Sequence, residues 1–286
     1  MRRHELTDQE WELLAPLIPR ATTGRPRVED RQVINGMVYK IRTGISWRDL
    51  PERYGPWKTV YTRFRRYALD GVFTQALQTI QARADAVGDI DWLVQIDSTI
   101  VRAHQHAAAT GRKRGSTGRN EPYDHALGRS RGGLTTKVHL ACDGKGRPLA
   151  ILLTPGQRHD SICARPLLER IRVPRNGLGR PRSRPDQVIA DKAYSSRGFR
   201  VYLRKRGITC TIPEKSDQRR HRHNRGRLGG RPPVFDQQIY RRRNVVERCF
   251  NRLKGSRGIA TRYDKTATSY EAAVSLASFL LWARSV

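Results

Sequence analysis

The hydrophobic pattern of this chain changes near residue 91, and that change restricts the possible folds more than any other property of the sequence. Before it, apolar residues recur three and four positions apart, as on one face of a helix, for example in residues 57–69. After it, short β-rich runs such as residues 92–97 alternate with segments of helical pattern. The sequence therefore predicts an all-helical part, residues 1–90, followed by an α/β part, residues 91–286.

The second part is predicted to contain elements in the order β-β-β-α-β-α-β-α. Strands are expected at residues 92–97, 135–142, 148–154, 187–191 and 208–213. Helices are expected at residues 160–171, 195–206, 238–254 and 269–284. Three strands joined by hairpins and then alternating helices and strands predict a mixed sheet covered by helices, in the order of a ribonuclease-H-like fold. Two basic segments interrupt this order, an irregular loop at 105–133 and an insertion at 214–236.

The charge of the chain indicates a polyanionic partner. Fifty-six lysines and arginines stand against 26 acidic residues, a formal net charge of +30. Such a balance favours DNA or RNA, because neutralising phosphates releases counterions. The sequence has no run of 18 apolar residues and no apolar signal region near its start, so we expect no membrane partner. Its four cysteines are scattered, which fits a reducing, cytoplasmic location.

The helix predicted at residues 57–69 has two contrasting faces. Its apolar side requires a partner, which the helical pattern of residues 29–43 can supply. The opposite side carries four polar or basic residues, Lys58, Thr62, Arg65 and Arg66. Helix, turn, short helix, turn and basic helix is the outline of a helix-turn-helix module, so these four are candidate DNA contacts. A solvated basic face is the alternative.

Three carboxylates occupy positions that are unusual in so basic a chain. Asp97 and Asp191 each end an apolar strand pattern, and Glu247 lies in a helical segment among arginines. A carboxylate beside buried strands is costly unless it is paired or binds a metal. Two neighbouring strands and an adjacent helix would bring the three together, where they could hold two Mg²⁺ or Mn²⁺ ions for phosphoryl transfer.

Each carboxylate also has an ordinary interpretation. An aspartate at a strand end often caps the next helix, and Glu247 could simply pair with Arg243 or Arg248. Asp143 is expected in a hairpin turn, whereas Asp160 could cap a helix or line the edge of the site. Arg243 and Lys254 lie four residues before and seven after Glu247, near its helical face, and could hold DNA phosphates, as could Lys192 beside Asp191. A solvated or self-pairing helix face is again the alternative.

These residues resemble the bacterial insertion-sequence DDE transposases, most closely the group founded on insertion sequence five. The segment Tyr240-x2-Arg243-x3-Glu247-x6-Lys254 is similar to the signature around the family's catalytic glutamate. That signature continues with arginine and then lysine, whereas this chain has Lys254 and then Arg262, so the two cations are exchanged. The sequences around Asp97 and Asp191 resemble the family's two aspartate boxes, and the resemblance covers nearly the whole chain.

The resemblance implies a ribonuclease-H-like catalytic core at 91–286, preceded by a helix-turn-helix-type DNA-binding domain at 1–90. It implies a metal-dependent enzyme with Asp97, Asp191 and Glu247 as catalytic metal ligands. Tyr240 and Arg262 join the candidate DNA contacts through the family signature. The implied activity is binding of terminal inverted repeats, cleavage that exposes 3′-OH groups, and joining of those ends to target DNA.

The same resemblance implies a homodimer or higher oligomer on double-stranded DNA, because two transposon ends are joined together. No small-molecule substrate is expected. Three alternatives stay open: a ribonuclease-H-like nuclease without strand transfer, a non-catalytic repressor derived from a transposase, and a recombinase with Tyr240 as nucleophile, which would leave the carboxylates unexplained.

Overall fold

The computed structural model describes residues 4–19, 27–108, 124–130 and 132–285. Within these residues, seven strands form one sheet. They are β1 (Leu93–Ala103), β2 (Gly128–Ser130), β3 (Gly133–Cys142), β4 (Pro148–Pro155), β5 (Gln187–Ile189), β6 (Thr209–Thr211) and β7 (Thr261–Arg262).

The main sheet has the spatial order β4-β3-β1-β5-β6. β1 pairs antiparallel with β3, and β3 pairs antiparallel with β4. On the other side of β1, β5 and β6 run parallel to it. An antiparallel meander that continues into parallel strands confirms the predicted mixed sheet of a ribonuclease-H-like core. The short strands β2 and β7 were not predicted; β7 pairs with the end of β1.

Among the residues described before the sheet, 4–19 and 27–92, there are four α-helices, as the periodicity predicts: α1 (Asp8–Leu14), α2 (Asp30–Thr43), α3 (Trp57–Leu69) and α4 (Val72–Ala86). α1 begins with a capping box in which Thr7 and Glu10 bond each other's backbone N–H groups. α2 ends at Gly44, whose positive φ of 74° suits a residue without a Cβ. α3 spans the residues predicted for the basic helix.

The helices of the second part are α5 (Gln105–Ala108), α6 (Asp160–Glu169), α7 (Arg197–Lys205), α8 (Ser216–Asn224), α9 (Gln237–Arg241), α10 (Asn244–Lys254), α11 (Arg257–Ala260) and α12 (Ala267–Ala283). α12 is buried along most of its length and packs against α3, α4 and β4. The buried apolar residues accordingly form one cluster that runs from the N-terminal helices to the sheet. The helical part is therefore packed firmly on the core, while its division from residues 91–286 as a separate domain stays a prediction.

Several predicted boundaries were wrong. The single helix expected at 238–254 is divided into α9 and α10, because the backbone tightens into three-residue hydrogen bonds at Arg242 and Arg243. β1 does not end at Asp97 but continues to Ala103, because β3 pairs with it along that length. The basic insertion at 214–236 contains α8, and the loop at 105–133 contains α5 and β2, with residues 109–123 and 131 outside the described part.

Candidate active site

Asp97 lies in the middle of β1, on the face of the sheet that α10 covers. Its Oδ1 accepts a hydrogen bond from the backbone N–H of Ser98 at 2.8 Å. Its Oδ2 lies 3.3 Å from Nη1 of Arg243, which donates to it. Side chains alternate along a strand, so Gln95 and Thr99 share this face with Asp97, whereas Ser98 faces the opposite side.

Asp191 is brought next to Asp97 by the parallel pairing of β1 and β5. Gln95 is the register partner of Ile189, so Asp97 and Asp191 each lie two residues after the same paired position of the two strands. Asp191 follows β5 and caps a short 3₁₀ turn, where its Oδ1 accepts a hydrogen bond from the N–H of Ala193 at 2.8 Å. Asp191 therefore both caps the 3₁₀ turn and lies beside Asp97.

Glu247 enters the site from the first turn of α10. This helix buries Val246, Cys249 and Leu253, which leaves Glu247 on a half-exposed side. The helix is also held by a polar contact, since the backbone N–H of Val246 donates to the buried Gln95 side chain at 3.1 Å. Gln95 was missed by sequence reasoning, yet it fixes α10 beside β1 and so positions Glu247.

Arg243 connects the carboxylates of the strand and the helix. Its Nη2 donates to Glu247 Oε1 at 2.6 Å, while its Nη1 donates to Asp97. The guanidinium is only a quarter exposed, so both ion pairs are partly shielded from water. Arg243 thus supplies one positive charge to a site with three carboxylates.

The electrostatic balance of the site is visible in the pKa of Asp97. This pKa is raised to about 6, chiefly by burial and also by the charges of Asp191 and Glu247, against the opposing effects of Ser98 N–H and Arg243. For Arg243, burial opposes the charged form, but Asp97 and Glu247 dominate and raise its pKa. The three carboxylates are therefore close enough to repel one another, and Arg243 alone does not neutralise them.

The three carboxylates are suitable ligands for a divalent cation, but their present arrangement is not yet that of a metal site. Three carboxylates offer the hard oxygen ligands that Mg²⁺ and Mn²⁺ prefer. Within the described part of the chain, however, no three His, Cys, Asp or Glu side chains are grouped closely enough to hold a metal ion. Arg243 occupies the space between two of the donors, so it would have to move for a cation to be held.

Two family models match the chain. "Putative transposase of IS4/5 family" matches residues 6–77, and "Transposase DDE domain" matches residues 90–282, which is more than half of the chain. The chain belongs to the DDE transposase family. Within the described residues, the transposase has no helix long and apolar enough to cross a membrane.

Two similar proteins are named as putative transposases of insertion sequences. The transposase is 32% identical over 151 residues to "Putative transposase for insertion sequence element IS6501" of Brucella ovis, which covers 53% of this chain and 100% of that protein. It is 33% identical over 146 residues to "Putative transposase for insertion sequence element IS402" of Burkholderia cepacia, covering 51% and 62%. Among solved structures, the "Mos1 transposase paired-end complex with left transposon end" aligns at 12% identity with a TM-score of 0.23, covering 83% of this chain and 82% of that one. A TM-score this low supports no argument about the site.

The cations predicted near the active site of the transposase lie in different surroundings. Lys254 donates from Nζ to Thr99 Oγ1 at 2.6 Å, so its side chain lies along the same face of β1 as Asp97, and burial lowers its pKa. Lys192 is exposed in the turn after Asp191. Tyr240 is half-buried; burial raises the pKa of its hydroxyl, and the nearby carboxylates add to that effect.

Two of the predicted DNA contacts are instead engaged inside the protein. Arg262 is fully buried, and its guanidinium donates to Thr136 Oγ1 at 2.6 Å and to the carbonyl of Asp264 at 2.9 Å. Burial lowers its pKa to about 10. The phosphate contact expected of Arg262 is therefore wrong, because β7 places this residue beneath the surface. Arg65, on α3, donates to Thr266 and Ser269 of the α12 N-terminus, at 2.9 and 2.6 Å, and so joins the two parts of the chain.

The remaining residues predicted on the outer face of α3 are exposed, namely Lys58, Thr62 and Arg66. Arg63 on the same helix is buried and pairs with Asp30 at 2.8 Å, a structural contact that the sequence pattern did not reveal. Some basic residues of α3 therefore make structural contacts inside the protein, and others are exposed to solvent.

Asp160, the rival carboxylate, begins α6 on the other side of the sheet. Its Oδ1 accepts a hydrogen bond from Ser98 Oγ at 2.7 Å and lies 3.0 Å from Lys137 Nζ. Although burial opposes ionisation, these two partners lower the pKa of Asp160. Asp160 thus contacts Ser98, on the face of the sheet opposite Asp97. Its hydrogen bond there stabilises β1.

Proposed function

We propose that this transposase binds the terminal inverted repeats of its insertion sequence, cleaves the DNA at those ends and joins the exposed 3′-OH groups to target DNA. The single observation that carries the proposal is the convergence of Asp97, Asp191 and Glu247 from two adjacent parallel strands and one helix. Structural ion pairs rarely leave three carboxylates with one arginine, whereas phosphoryl transfer requires such a concentration of negative ligands.

In this mechanism Asp97, Asp191 and Glu247 would hold Mg²⁺ or Mn²⁺, with two ions expected. When bound, such ions polarise the attacking oxygen and stabilise the charge on the leaving oxygen. The chain itself must present these carboxylates in their ionised form and release Arg243 from Asp97 and Glu247. A DNA phosphate is a suitable new partner for Arg243, because guanidinium groups bind phosphate in the same two-pronged manner as carboxylate.

The reaction needs no nucleophile from the protein. In the first step a water oxygen forms a bond to phosphorus, the bond to the 3′ oxygen breaks, and that oxygen leaves as a 3′-OH. In the second step this 3′-OH attacks a phosphate of the target and releases a new 3′-OH there. Tyr240 is a poor nucleophile, because its raised hydroxyl pKa keeps it protonated at neutral pH.

DNA recognition is assigned to both parts of the chain. The exposed face of α3, with Lys58, Thr62 and Arg66, would contact the transposon end, and residues 1–90 would act as its DNA-binding domain. Lys192, Lys254 and Arg243 would hold the scissile strand beside the carboxylates. A homodimer or higher oligomer would bring two transposon ends together.

The proposal is tested by incubating the protein with a labelled transposon-end duplex and a target plasmid in Mg²⁺ or Mn²⁺. Glu247→Gln is the test variant, and Glu169→Gln, which changes an exposed glutamate paired only with Arg165, is the matched control. We expect nicking at the repeat boundary and joined product from the wild type and the control, and neither from Glu247→Gln. Nicking without joining would favour the nuclease, and specific binding without any cleavage would favour the repressor.

A further inference from the structure

The segment between β6 and α9 carries a basic helix that no part of the proposed reaction uses. α8 (Ser216–Asn224) has no buried residue. At 100° per residue, Gln218 and Arg222 lie on one side of the helix, and Arg219, Arg220 and His223 lie on the other. These three are exposed, and within the described part of the chain their side chains take no hydrogen bond or ion pair. α8 therefore presents a set of unpaired basic groups to solvent.

The inner side of α8 is anchored to the chain just beyond Asp191. Gln218 accepts a hydrogen bond from Ser195 Oγ at 2.8 Å and donates to the Ser195 carbonyl. Ser195 is itself buried, and Arg200 donates to its Oγ at 3.1 Å and to the carbonyl of Ile212 at 2.7 Å. Arg222 pairs with Glu214 at the base of the helix. These contacts fix which side of α8 faces outward.

The anchor also limits how far α8 can lie from the candidate active site. Ser195 is four residues after Asp191, and four residues span at most about 14 Å even when fully extended. The outer face of α8 lies about one helix diameter, about 11 Å, beyond this anchor, so it stays within about 25 Å of Asp191. That distance corresponds to about seven base pairs, at about 3.4 Å per nucleotide along a strand. A duplex that is held at the carboxylates and runs towards α8 would bring its phosphates to this face.

We propose that the outer face of α8, formed by Arg219, Arg220 and His223, binds backbone phosphates of the DNA duplex within about seven base pairs of the scissile bond. This proposal rests on the proposed function, which places the scissile bond at Asp97, Asp191 and Glu247. A second copy of this face is a less suitable partner, because its exposed arginines would repel those of the first copy.

Arginines on an exposed helix can bind DNA phosphates without recognising the base sequence. We expect Arg219 and Arg220 to act in this way. Guanidinium groups donate to phosphate oxygens, which fixes the position and register of a protein on the duplex. α8 would therefore hold the DNA next to the carboxylates, while the discrimination of one sequence from another lies elsewhere.

The test is the salt dependence of binding to a transposon-end duplex. The double variant Arg219→Gln/Arg220→Gln is compared with Arg204→Gln/Lys205→Gln, which removes the same charge from exposed residues at the far end of α7. Loss of two phosphate contacts should reduce the slope of log affinity against log salt by about 1.8. The control should retain the wild-type slope, and Arg219→Lys/Arg220→Lys should restore most of it. Equal slopes for the two glutamine variants would overturn the proposal.

A second arm locates the contact on the DNA. Uncharged methylphosphonate linkages placed within about seven base pairs of the cleavage position should weaken binding by the wild type but hardly affect Arg219→Gln/Arg220→Gln. If the same linkages weaken both proteins equally, α8 does not bind there. A change of oligomeric state in the DNA-free variant would instead identify α8 as a protein interface. Cleavage by the wild type is measured in parallel, so a failure of the proposed reaction is seen separately from a failure of this surface.

Discussion

Two acidic clusters stand on the same sheet, and they differ in how their charge is neutralised. The balanced cluster consists of Asp89 and Asp143 with Arg147 and Lys145. Arg147 is buried and donates to both aspartates, while Lys145 pairs with Asp89. The candidate active site has three carboxylates and, between them, Arg243. One cluster pairs each aspartate with a cation, whereas the other keeps an excess of negative charge.

The pKa values follow this difference for Asp89 and Asp97, although burial also raises the pKa of Asp143 in the balanced cluster, against the hydrogen bonds from Arg147. Hydrogen bonds from Arg147 and then Lys145 lower the pKa of Asp89. Burial and neighbouring carboxylates raise that of Asp97 to about 6. A structural cluster stabilises its charges by fixed partners, whereas a site that binds a cation must leave some charge unsatisfied until the cation arrives. This excess, rather than the number of acids, distinguishes the candidate active site.

The largest effect is expected on activity. Asp97→Asn should lower the rate of end cleavage by at least about ten-thousandfold, about 5–6 kcal/mol in the activation barrier, because it removes a charge from a unit that acts together. Asp89→Asn removes the same charge from the balanced cluster and should change the rate by less than about tenfold. Rates are compared at saturating end DNA, with circular dichroism to verify folding. Similar losses of cleavage rate in both variants would show that the two acidic clusters do not differ in function.

The second prediction concerns stability. Arg147→Met leaves Asp143 buried without its partner and should lower the free energy of unfolding by about 3–5 kcal/mol. Arg243→Met leaves the three carboxylates without their cation, but Glu247 is half-exposed and Asp97 can take up a proton, so the loss should be smaller, about 1–2 kcal/mol. Urea unfolding of the metal-free proteins measures both. An equal loss in the two variants would mean that Arg243 is as structural as Arg147.

The third prediction follows from the raised pKa of Asp97. Because its folded pKa of about 6 lies above the ordinary aspartate value of 3.8, ionisation of Asp97 disfavours the folded state as pH rises between these values. Metal-free Asp97→Asn should therefore be more stable than the wild type at pH 7, by about 3 kcal/mol, with the difference nearly constant above about pH 7. The difference should shrink as pH falls and vanish near pH 3.8. A variant less stable than the wild type at pH 7 would contradict this account.

The smallest effect is expected on metal binding. Arg243→Gln should tighten Mn²⁺ binding to the DNA-free protein by about five- to tenfold, about 1 kcal/mol, because it removes the competing cation from Asp97 and Glu247. Electron paramagnetic resonance of free Mn²⁺ measures the affinity. Arg242→Gln, which breaks a contact with Asp91 outside the site, is the control. Unchanged or weaker binding by Arg243→Gln would show that Arg243 does not occupy the position of the cation.

The sequence predicted the elements of the site better than its contacts. Asp97 and Asp191 could be found because carboxylates are rare beside apolar strands, and the parallel pairing of β1 with β5 follows from the element order. The four-residue spacing of Arg243 and Glu247 already allowed the ion pair that the structure contains. That Arg243 also reaches Asp97 depends on how α10 packs on β1, which spacing does not specify.

Gln95 and Arg262 show where sequence reasoning failed. A glutamine in a strand pattern is usually interpreted as solvent-facing, and only the docking of α10 buries Gln95 and gives it the N–H of Val246. Arg262 was assigned to DNA by its place in a signature, but the pairing of β7 with β1 buries it. Both outcomes were set by tertiary packing, in which a polar side chain is buried because its donors or acceptors are satisfied there.

The central claim is that Asp97, Asp191 and Glu247 together hold the divalent cation. The most direct measurement replaces Mg²⁺ with Fe²⁺ and maps where hydroxyl radicals, generated with ascorbate and peroxide, cut the polypeptide. We expect cuts near residues 97, 191 and 247 that excess Mg²⁺ suppresses and that Glu247→Gln weakens. Cuts at Asp89 and Asp143 instead, or none near the three carboxylates with end DNA bound, would contradict it.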